Sequence, residues 1–168
     1  MVVGLLSGSS CKHEPVNASA SKAVMKVALP YQVKDTTEWK MNEDPRNIIL
    51  VMNALKAIEN RDAMRFGSYF TDSLIARGDG YIFKGSRAEM NTTNKRGLAS
   101  LKKVKIKVHN WQSVVNDSGS LAWVNVSYTQ YKDDHKGKRD STYLYNEGRD
   151  KNGMTEESNE YFRNVPRP

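Results

Sequence analysis

The stretch that most constrains the fold is "EDPRNIILVMNALKAIENRD", residues 43–62. Asp44 offers an N-cap, and Pro45 falls at the first helical position, where a missing N–H is harmless. Ile48, Val51, Met52, Leu55 and Ile58 then recur with the 3.6-residue period of a helix. Ile49, Leu50, Ala54 and Ala57 widen that stripe until little of the surface is polar. A helix apolar nearly all round is predicted to be buried, so the rest of the chain must wrap it.

The wrapping is written as strands. In "KKVKIKVHNW" (102–111) Val104, Ile106 and Val108 face one way and Lys103, Lys105 and Lys107 the other. The turn "NDSG" leads into "SLAWVNVSYTQY", where Ala122, Val124, Val126 and Tyr128 alternate with Leu121, Trp123, Asn125 and Ser127. "DDHKGKRD" links to "STYLYNEGR", and Asn152-Gly153 is a hairpin signal before "MTEESNEYFRNV". Between the long helix and this four-stranded meander come a short helix ("DAMRFGSYF"), two short strands around Gly78-Asp79-Gly80, and a third helix capped by Ser86 and running to about Leu101. The expected fold class is α+β, a curved antiparallel sheet packed on a long N-terminal helix and two shorter helices.

Residues 12–43 read differently. They are rich in Ser, Ala, Lys and Asn without a sustained period, as in a tether, although "VMKVALPY" and "EWKM" are short enough to lie as extended strands. Upstream, "VVGLL" and "SGSS" run directly into Cys11, the single cysteine of the 168 residues. One thiol excludes an internal disulfide and a cysteine-based zinc site. No Lys or Arg precedes Cys11 and the apolar run is short, so residues 1–11 read as the back end of a signal segment whose start lies upstream. Small residues ahead of a lone Cys resemble a relaxed bacterial lipobox, with Gly8 where Leu is usual. That resemblance implies lipidation of Cys11 and an address in the cell envelope, anchored to a bacterial membrane on its periplasmic or surface side. No apolar run approaches the ~18–20 residues that span a bilayer.

Ordered motifs carry a second resemblance, over about residues 44–165. "NALKAIENRDAMRFGSYFTDSL", "FKGS" opening a helix, and "NEGRDKNGMTEESNEYFR" resemble the nuclear transport factor 2-like, or SnoaL-like, superfamily. Glu59, Asp62, Asp72, Gly85, Gly153, Glu160 and Tyr161 occupy its pattern positions. "PYQ", "EW-M" and "DP-N" ahead of the helix are similar to lipoproteins of this superfamily from Bacteroidetes. The resemblance implies a cone-shaped domain over residues 44–168, an apolar pocket between sheet and helices, and dimerisation through the sheet. With no convincing acid–base constellation among the residues, the first expectation is a non-catalytic pocket protein that binds a small apolar or amphipathic ligand or a protein partner, and the alternative is an acid–base enzyme of the isomerase, dehydratase or hydrolase kind. Fold alone does not choose between them.

Candidate residues follow from the chemistry each reading needs. Acid–base work requires a titratable group in a dry pocket. Among three histidines, His13 sits in the tether and His135 in a charged loop, leaving His109 on a strand. Asp72 leaves the second helix, and Glu147 follows Tyr143 and Tyr145 on one strand face, which makes it a candidate if that face lines the cone and a solvated strand charge or salt-bridge partner if it faces water, the reading taken first. Trp111, Trp123, Tyr128 and Tyr145 supply large apolar bodies for a pocket wall. No histidine pair has ligand spacing, so neither a metal nor a cofactor is expected. The net charge of +7 comes from 26 basic residues spread along the chain, a pattern of solvated surface and not of nucleic-acid binding. Arg77-Gly78-Asp79 reads as a tight turn. Asn91, Asn116 and Asn125 head glycosylation triplets that matter only in a eukaryotic secretory pathway.

Overall fold

The computed structural model describes residues 38–166. Its elements in chain order are β1 (Trp39–Met41), α1 (Arg46–Glu59), α2 (Ala63–Gly67), β2 (Phe70–Gly78), β3 (Tyr81–Ser86), α3 (Arg87–Ala99), β4 (Leu101–Asn116), β5 (Ala122–Asp134), β6 (Arg139–Lys151) and β7 (Met154–Asn164). All strands join one sheet in the order β1-β4-β5-β6-β7-β2-β3. The expected meander is its centre. Two features go beyond it: β2 pairs with β7 in parallel, and β1 pairs with the far end of β4, Trp39 opposite Asn116. β1 realises the extended "EWKM" piece. "VMKVALPY" and Cys11 lie outside the described residues.

Alternation settles the two faces. Val104, Val124, Val126 and Leu144 turn inward and are buried, Val124 completely, while the lysines between them on β4 point outward. The registers of β4 slip between Val108 and Asn110, where His109 is the extra residue of a bulge. Such a bulge bends a strand and increases its twist. It lets the long β4 and β5 curl round the helices. At the β6–β7 hairpin Asn152 and Gly153 both have positive φ, 53° and 75°, as a two-residue type I′ turn demands.

Helix α1 corrects one expectation. Ile48, Ala54, Leu55 and Ala57 are buried, but Ile49 is 53% exposed and Asn53 and Lys56 also face water. The sheet covers one side of the helix only. The cap differs as well: Pro45 occupies the N-cap position without a side-chain bond, and Asp44 instead accepts the Arg46 backbone N–H at 3.0 Å. Leu55 packs with Val126, Tyr128 and Leu144 to form one half of the core. The other half joins Phe70, Leu74 and Met90 beneath α2 and α3. Helix α3 opens on a capping box, with the Ser86 side chain accepting from the Glu89 N–H and Glu89 accepting from the Ser86 N–H. The two core halves stand apart, and between them the inner face of the sheet stays open.

Candidate functional site

That opening is a cavity of about 510 Å³ between the sheet and the three helices. Phe66, Phe70, Phe83, Met90, Leu98 and Ile58 make its apolar wall. The opposite wall is polar, built from inward positions of the three central strands. β5 contributes Tyr128 and Gln130, β6 Asn146, and β7 Ser158 and Glu160. Register brings them together: Val126, Asn146 and Glu160 lie in one row across three strands.

Glu160 is the centre of this wall. The Tyr128 hydroxyl donates to its carboxylate, and Asn146 also hydrogen-bonds it. Asn146 Nδ2 in turn donates to Ser158 Oγ at 3.0 Å. Burial is the main influence on Glu160 and raises its pKa above the ordinary 4.5. The Lys132 charge and the hydrogen bonds from Tyr128 and Asn146 pull the other way, while Asp79 adds to the rise. Tyr128 is 3% exposed, and burial lifts its pKa well above 10, so its phenol keeps its proton. Tyr81 stands at the rim, its ring folded back over Gly78. A Cβ there would lie 2.1 Å from the ring, so glycine is what admits this approach.

The structure distributes the residues singled out from sequence over both faces. Tyr128 lines the cavity. Glu147, Tyr145 and Tyr143 do share a face, and it is the outer one. Glu147 accepts there from the Tyr145 hydroxyl and, at 3.4 Å, from Asn159 Nδ2. Trp123 is on the same outer face beneath the Arg149 guanidinium, 6.0 Å from the ring centroid. The Asp72 side chain is 86% exposed and pairs with Arg87. His109 Nε2 is 2.7 Å from Thr129 Oγ1, and its ring stacks on Tyr143 at 5.7 Å, again outside the cavity. Trp111 is 50% exposed and lines no part of the cavity. Arg77 pairs with Glu157, and Asp79 Oδ2 accepts the Phe162 N–H at 3.0 Å, so both charged ends of the Arg-Gly-Asp tripeptide have structural partners.

Glu160 was visible in the sequence only as a pattern position of the resemblance. The available signal was the alternation Ser158, Glu160, Phe162 on β7. Choosing its inward phase needed the register with β6, because a one-residue slip exchanges the faces.

No protein-family model matches the sequence, and no curated protein matches it. Solved structures do. An epoxide hydrolase of the LEH-like kind from M. tuberculosis superposes with a TM-score of 0.58 at 17% identity, covering 73% of this chain and 86% of that one. AusH from Aspergillus nidulans gives 0.59 at 15%, covering 77% and 90%. A ketosteroid isomerase-like protein from Erwinia carotovora gives 0.57 at 12%, covering 74% of this chain and all of that one. The fold is nuclear transport factor 2-like. At these identities the likeness extends to architecture, and the chemistry must come from the cavity itself.

Proposed function

We propose that this domain is an acid–base enzyme acting on a small, largely apolar molecule held in the cavity. The observation that carries the reading is Glu160, a carboxylate of raised pKa set in the polar wall and held by the Tyr128 hydroxyl and Asn146. As a carboxylate, Glu160 takes a proton from a substrate carbon or hydroxyl. It then returns that proton at a second atom, which is isomerisation, or to a leaving hydroxyl, which is dehydration. If the proton taken comes from water, the same step becomes hydrolysis. The apolar wall keeps the proton from bulk solvent, and a pKa moved toward neutrality makes both halves of the transfer accessible. A purely passive binder would not require an ionisable group in the polar wall beside Tyr128 and Asn146, which favours catalysis over non-catalytic binding. Solved proteins of the same fold include an epoxide hydrolase and a ketosteroid isomerase-like protein, in keeping with this choice.

The test is incubation with β-tetralone in deuterium oxide, and with styrene oxide, followed by mass spectrometry. Protein-dependent deuterium uptake beside the carbonyl, or opening of the epoxide, above the buffer rate is expected. Rates equal to buffer for both compounds would overturn the acid–base reading.

We also propose that Cys11 carries the lipid that ties the domain to a bacterial envelope membrane. Its position behind "SGSS" and ahead of a polar spacer supports this. A Cys11→Ser variant is expected to lose palmitate labelling and move to the soluble fraction. Unchanged labelling and fractionation would refute the anchor.

A further inference from the structure

The inner face of β5 does not end at Gln130. Tyr128, Gln130 and Lys132 alternate along it, with Lys132 opposite buried Val104 on one side and Asp140 on the other. Lys132 therefore stands one pleat beyond the cavity wall, about 7 Å along the strand from Gln130. Its charge is felt by Glu160. Among the described residues no carboxylate is within ion-pair contact of it, and its cross-strand neighbour Asp140 pairs with Lys138 at 3.1 Å instead. Lys132 is half-buried. A half-buried ammonium at the edge of an apolar cavity, without a contact partner, is a site for a counter-charge supplied from outside.

Two other observations give the sign and the size of that counter-charge. The chain's net charge of +7 attracts anions and repels cations at long range. Glu160 is near enough to feel the Lys132 charge, so a dianion such as a phosphate monoester would meet more repulsion there than a single negative charge. We infer that the substrate of this cavity is an amphipathic carboxylate whose apolar body lies against the aromatic wall and whose carboxylate pairs with Lys132. This rests on the cavity being the working site and adds the class of molecule. The reacting atoms then lie beside Tyr128 and Glu160, a short spacer away from the carboxylate, and Gln130 stands between the two points. Lys132 is a specificity-determining residue, since it contacts the ligand's charged end and leaves the proton transfer to Glu160.

The experiment compares naphthylacetate with its neutral isostere naphthylacetamide, titrated calorimetrically into the full chain at neutral pH and low salt. The acid is expected to bind roughly fivefold tighter than the amide, the scale of a partly exposed ion pair. Lys132→Met should abolish that preference and leave the amide's affinity unchanged, Lys132→Arg should keep it, and high salt should shrink it. Equal binding of acid and amide to the wild type, or a preference that survives Lys132→Met, would overturn the proposal and leave the acid–base reading standing. Failure of both compounds to bind would overturn the cavity reading together with it.

Discussion

Replacing Glu160 by Gln is expected to slow protein-dependent deuterium uptake into β-tetralone by about 10²–10⁴-fold, the usual contribution of a positioned acid–base group. Gln keeps the length of the side chain and an oxygen to accept from the Tyr128 hydroxyl. The cavity should therefore keep its shape, and naphthylacetamide should bind as before. The pH profile supplies an independent reading. Acting as a base, Glu160 works in its carboxylate form, so the rate rises with pH as the group deprotonates. Burial raises its pKa above the ordinary 4.5, which places that rise higher than a solvent-exposed glutamate would. The Tyr128 hydrogen bond opposes burial by stabilising the carboxylate. Tyr128→Phe should consequently move the acid limb to still higher pH, while a merely structural tyrosine would lower the rate without moving the limb. A Gln variant within twofold of the wild type would remove Glu160 from the mechanism, whatever the cavity binds.

The sequence carried most of the architecture because its elements are locally over-determined. Alternation over "KKVKIKVH" and "LAWVNVSY" admits no helical reading, and Asn152-Gly153 needs the positive φ values it adopts. The Ser86 cap likewise announces α3 from four residues. Longer-range facts were less legible. That β2 joins β7 in parallel depends on where α1 and α2 deliver the chain, which no local pattern encodes. Ile49 on the open side of α1 looks in the sequence like any other core isoleucine. The site suffered most from this limit. Glu147 and Glu160 both sit on alternating strands beside tyrosines, and which of them faces the cavity is decided by β6–β7 register and sheet curvature. The Glu147–Tyr145 pair on the outer face and the Glu160–Tyr128 pair on the inner face are nearly indistinguishable as text. They differ in position, because of the two carboxylates only Glu160 lines the cavity.

A buried carboxylate near the end of β6 offers the largest expected gain in stability. Asp150 is 3% exposed on the inner face near the end of β6, between Ala122 and Thr155, both buried. Thr155 Oγ1 donates to Asp150 Oδ1 at 3.0 Å, but Oδ2 has no hydrogen-bond partner. Burial lifts its pKa from 3.8 to about 6, with the Thr155 bond opposing the rise. The folded protein thus prefers the protonated acid. Between pH 3.8 and about 6 the folded state holds more proton than the unfolded one, so stability falls as pH rises through that window. Above it the charged form carries the whole penalty, about 3 kcal/mol by the size of the pKa difference. Asp150→Asn removes the charge and keeps an oxygen for Thr155. Its amide N–H groups occupy the place of the unpartnered Oδ2 and retain a penalty of about 1 kcal/mol. The variant should therefore be more stable than the wild type by about 1–2 kcal/mol at neutral pH. Near pH 4, where Asp150 is already neutral, it should lose that advantage and fall slightly below the wild type. Urea unfolding of both proteins across this range checks the sign, since every other carboxylate is common to the pair and cancels in the difference. A difference that does not change with pH would mean that Asp150 does not take up a proton on folding.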